Sequence, residues 1–89
     1  MHDPIRILDI AQSDWVALRD QLAEQGWTLE KGGGLDQSWA TLTQGELLIE
    51  MDYDCWFEGE IAYARTQARA IEAVLPAPVL AKRLHDNPL

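Results

Sequence analysis

With 15 Asp and Glu against 7 Lys and Arg, a formal net charge of −8, this 89-residue chain repels phosphate backbones and anionic membranes. Its 47% hydrophobic content is too high for a disordered acidic tail and suits one domain over residues 1–89 that buries about 64% of its unfolded surface. There is no apolar run of membrane-spanning length, no apolar signal core behind Met1, and no second cysteine for Cys55, so the sequence reads as a cytoplasmic chain without intrachain disulfides.

Ile5, Ile7 and Ile10, with Leu8, predict a short first strand. Ser13 and Asp14 can cap or open a helix by accepting bonds from its free amides, and the helix is predicted over residues 14–25. Its apolar stripe is Ala11, Trp15, Leu18 and Leu22, with Arg19, Asp20 and Glu24 left for solvent. Gly26 supplies the left-handed stop, and Trp27 is placed to fold back onto Leu22 as a structural residue. A strand over residues 27–31 then runs into Gly32, Gly33 and Gly34, read as a loose connection. It is not a phosphate loop, because neither a Lys-Ser/Thr pair nor a helix start follows it.

Residues 38–43 and 46–53 predict a hairpin about Gln44-Gly45, with glycine providing the positive φ of the turn. A two-residue turn there sets Leu42 against Leu47 and Ala40 against Ile49 on the buried face, and Trp39 against Glu50 on the other. The outer face becomes Trp39, Thr41, Leu48, Glu50 and Asp52, extended by Asp54 and Trp56. Leu47, Ile49, Met51, Tyr53, Cys55 and Phe57 take the apolar side.

Alternation continues formally to Tyr63, but a straight strand from Leu47 to Tyr63 would be ~55 Å long, against a domain about 30 Å across. The chain must turn. From Ile61 the spacing of Ile61, Ala64, Ala68, Ile71 and Leu75 predicts a helix, with Glu58 and Glu60 at its first turn and Pro76 and Pro78 at its end. A last short helix from about Pro78 would bury Val79, Leu80 and Leu84, ahead of a frayed tail over residues 85–89. The expected fold is α+β, an antiparallel sheet of about four strands with helices on one face, in the order β-α-β-β-β-α.

Between Gly32 and Ala64 lie seven acids and no Lys or Arg: Asp36, Glu46, Glu50, Asp52, Asp54, Glu58 and Glu60. An acidic strand face with projecting indoles is the combination a basic protein surface would meet. The expected function is therefore a non-catalytic interaction module, monomeric or homodimeric, with Trp39 and Trp56 as anchors and Glu50, Asp52 and Asp54 as attractors. No cofactor, nucleic acid or membrane enters this reading. The alternative is a carboxylate-based divalent-metal protein or metal-dependent enzyme using Glu50, Asp52, Asp54 and Glu58, although these positions lack the spaced oxygens and turn glycine of a calcium loop. Cys55 is expected to be a small core residue, with only His2 and His85 as imidazole partners for nucleophilic chemistry.

Overall fold

In the computed structural model, residues 3–34 and 36–85 are described, with side chains through Arg83. The strands are β1 (Ile5–Ile10), β2 (Thr28–Gly33), β3 (Gln37–Gln44), β4 (Leu47–Asp54) and β5 (Glu58–Tyr63). Helix α1 (Gln12–Glu24) follows β1, and a 3-10 turn (Arg65–Gln67), α2 (Ala68–Glu72) and α3 (Ala77–His85) follow β5. The fold is α+β, with five antiparallel strands in the order β1-β5-β4-β3-β2.

The chain enters at one edge of this sheet and reaches the opposite edge through α1. Thirteen helical residues span ~20 Å, which matches the ~19 Å of four strand spacings. The return is a meander, β2 to β5, that closes beside β1. One core lies under the sheet: Ile7, Ile61, Met51 and Ala40 form a ladder row, Leu42 pairs with Ile49, and Trp15, Leu18, Leu22, Ile71, Leu75 and Val79 cover them. Among the described residues the α-helices therefore pack on one face, and the other is open apart from the 3-10 turn at its end.

Local chemistry explains most of the boundaries. α1 begins at Ala11, whose carbonyl accepts from the Trp15 amide. No side-chain hydrogen bond caps it, so Ser13 and Asp14 do not cap the helix but open it from inside its first turn. At its end Gly26 (φ +99°) donates to the Ala23 carbonyl and the Trp27 amide to that of Leu22, a Schellman stop that leaves Trp27 buried as its position implied. In β1 the three-residue step from Ile7 to Ile10 is absorbed by a bulge with Asp9 at φ +60°, so that all three isoleucines face inward.

Four expectations are corrected. Gly32 and Gly33 are not a loose connection: they belong to β2, opposite Trp39 and Ser38. The β3–β4 turn is Gly45-Glu46, with positive φ at Gly45 alone, so Leu42 pairs with Ile49, Ala40 with Met51 and Trp39 with Asp52. This shift is an even one and keeps every side chain on its expected face. Residues 58–63 are strand β5 and not a helix; the helix proper starts at Ala68, and Ala64 is exposed. Finally, Cys55 is exposed on a turn, together with Phe57, instead of entering the core. Val79 is buried and Leu80 half-buried, as expected, while the Leu84 side chain and residues 86–89 lie outside the described part.

Behind the sheet, the Tyr63 hydroxyl donates to Glu72 Oε2 (2.6 Å), which also accepts from Arg83 Nε (3.1 Å), tying β5 to α2 and α3. Burial, reinforced by the Glu72 carboxylate, holds the Tyr63 phenol well above its ordinary value. Among the described residues no helix is long and apolar enough to cross a membrane.

Candidate partner-binding face

The open face is built from alternate residues of the five strands. One ladder row reads Glu30, Thr41, Glu50, Ala62, Arg6; the next reads Gly32, Trp39, Asp52, Glu60. Beyond it Asp54 stands opposite Glu58. Asp52 and Glu60 are thus direct cross-strand neighbours of like charge, as are Asp54 and Glu58, and each such pair opposes folding by a few tenths to about 1 kcal/mol before screening. Arg6 offsets part of this by pairing with Glu60, an exposed bridge worth ~1 kcal/mol or less.

Trp39 is 44% exposed in the middle of this face. Its indole reclines over Gly32, where an added Cβ would stand 2.8 Å from Trp39 Nε1. Glycine on the edge strand therefore gives the ring a bed, and one side of the ring stays open to water.

Three adjoining depressions run along the face. One of about 310 Å³ is bounded by Trp39, Asp52, Asp54, Phe57, Glu58 and Glu60. A second, about 300 Å³, shares Trp39, Asp52 and Glu60 and adds Arg6, Thr41 and Glu50. The third, about 500 Å³, shares Glu50 and Ala62 and ends at Leu48, Arg65 and Gln67. The Gln67 carboxamide holds this last wall by accepting from the Leu48 amide (3.2 Å) and donating to the Glu46 carbonyl (2.6 Å), while Arg65 Nε donates to the Asp3 carbonyl.

The five residues singled out from the sequence are not all equivalent here. Trp39, Glu50 and Asp52 share the open face on β3 and β4. Asp54 is half-buried at the end of β4, and its carboxylate accepts from the Trp56 amide (2.7 Å), fixing the turn 55–57. Trp56 stands on that turn, 81% exposed, outside the depressions that Trp39 lines; Phe57, 78% exposed, borders the first of them. Sequence reasoning missed Glu60, Arg6 and Phe57, because placing residue 61 onward in a helix removed β5 and with it the neighbours of β4. The alternation of Phe57, Gly59, Ile61 and Tyr63 carried the missing signal.

Tyr53, packed beside Trp15 with ring centroids 5.9 Å apart, has its phenol raised by desolvation and then by the charge of Glu58. Among the described residues no three His, Cys, Asp or Glu side chains converge to hold a metal ion, since strand geometry splays Glu50, Asp52 and Asp54 in parallel. No family model, curated protein or solved structure matches this chain.

Proposed function

We propose that the protein is a non-catalytic interaction module whose open sheet face receives a basic protein surface. The observation that carries this reading is the exposed Trp39 indole flanked by Glu50, Asp52 and Glu60 on a face that none of the described α-helices covers. An exposed ring offers a partner apolar area to bury, and the carboxylates speed and orient its approach. A cationic partner would also relieve the like-charge pairs Asp52/Glu60 and Asp54/Glu58, so binding energy and internal repulsion act in the same direction. The exposed free thiol of Cys55 suits the reducing cytoplasm.

The test is a double charge reversal, Glu50→Lys with Asp52→Lys. Because both side chains point to solvent, the variant should keep the wild-type melting temperature within a few degrees. Affinity capture from lysate should then yield proteins that wild type retains at low salt, that roughly 0.5 M salt releases, and that the variant never retains. Equal recovery by both forms contradicts the proposal.

A further inference from the structure

We infer that the occupant of this face is an extended basic peptide segment with Lys or Arg at every second residue, lying lengthwise along β4; the inference rests on the interaction reading above. The three depressions lie end to end, since the first and second share Trp39, Asp52 and Glu60 and the second and third share Glu50 and Ala62. Together they follow the eight residues of β4, a path of ~25 Å that an extended peptide of roughly eight residues would fill.

The spacing of the charges selects the conformation. Glu50, Asp52 and Asp54 repeat every second residue, ~6.8 Å apart, and an extended chain repeats its same-side side chains at that interval. The Trp39 ring, flat over Gly32, gives the aliphatic stem of a Lys or Arg a shelf and its charge a π face. Arg65 closes the far end, so the cations of the segment are confined to the Glu50–Asp54 stretch.

Two synthetic peptides of identical composition decide the matter: one alternates Lys and Thr, and its isomer gathers the Lys residues in a block. Titrated into the protein at low salt and followed by calorimetry, the alternating peptide should bind roughly tenfold tighter than the block isomer, a difference of about 1.4 kcal/mol. Trp39→Ala should weaken it several-fold, and Asp52→Lys should abolish it. Equal affinity for the two isomers, or tighter binding of a helix-forming peptide of the same charge, overturns the inference; if Asp52→Lys still abolishes that binding, the broader reading of a basic partner survives. Binding of every peptide unchanged by Asp52→Lys overturns both.

Discussion

At Gly59 a single hydrogen stands where any side chain would collide: a Cβ would lie 2.5 Å from Trp15 Cδ1 and 2.9 Å from the Ile10 carbonyl oxygen. The close approach lets the Trp15 indole settle on β5, with Nε1 donating to the Glu60 carbonyl (3.3 Å), directly beneath the acidic face. Gly59→Ala is expected to cost about 1–3 kcal/mol through overpacking, read as a lowered melting temperature; an unchanged melt would contradict the packing described. Tyr63 carries a pH dependence. Since its phenol is raised in the folded state, the native protein holds that proton more tightly than the unfolded chain does. Its contribution is complete below the ordinary phenol value of about 10 and is lost as pH rises from there. Denaturant unfolding should therefore show stability falling above pH ~10, and Tyr63→Phe should flatten that fall while lowering stability at neutral pH. Little of this was readable beforehand: the alternation marks Tyr63 as inward, but its partners Glu72 and Arg83 come from elements whose arrangement only the fold reveals.

The β4–β5 hairpin is the element that sets the face, and it is where sequence and structure part. The turn 55–57 contains no glycine, proline or asparagine; its signals are the Asp54 carboxylate bonded to the Trp56 amide and Glu58 accepting φ +64°. Without a recognisable turn, the three- and four-residue spacings from Ile61 to Leu75 outweigh six residues of alternation, and the strand has the pattern of a helix. The other hairpin was easier, because Gly45 marks the turn. Gly45 opens the turn instead of closing it, which moves the register by two and leaves the faces intact. Two expectations belong to this element. Glu58→Gly should stabilise the fold by about 0.5–1 kcal/mol, because glycine enters the left-handed region without the side-chain clash; a loss of stability in chemical denaturation would contradict the turn geometry. Asp52→Asn should raise stability by a few tenths of a kcal/mol at low salt by easing the repulsion from Glu60, and the gain should shrink as salt is added. A salt-independent change would point to another cause.

For the whole molecule the decisive property is asymmetry. One-sided helix cover and the location of the core follow from patterns already visible in the chain, the isoleucines of β1, the stripe of α1 and the alternation of β4, whereas the strand order does not, because it turns on β5. Because helices seal one side, the seven acids between Gly32 and Ala64 concentrate around the other side and its turns, leaving a negatively charged trough with Trp39 as its one open indole. Trp15 and Trp27 are core residues and Trp56 stands apart on its turn, so the four indoles report on different places. Their side-chain N–H signals, in a nitrogen-15 spectrum of the labelled protein titrated with a Lys-rich peptide, show whether the trough is where a basic partner sits. The Trp39 indole and the backbone amides of Glu50, Asp52 and Glu60 should shift in a saturable way while the Trp15 and Trp27 indoles stay in place. A titration that leaves Trp39 unmoved, or that spreads its shifts evenly over the helices, would contradict that placement.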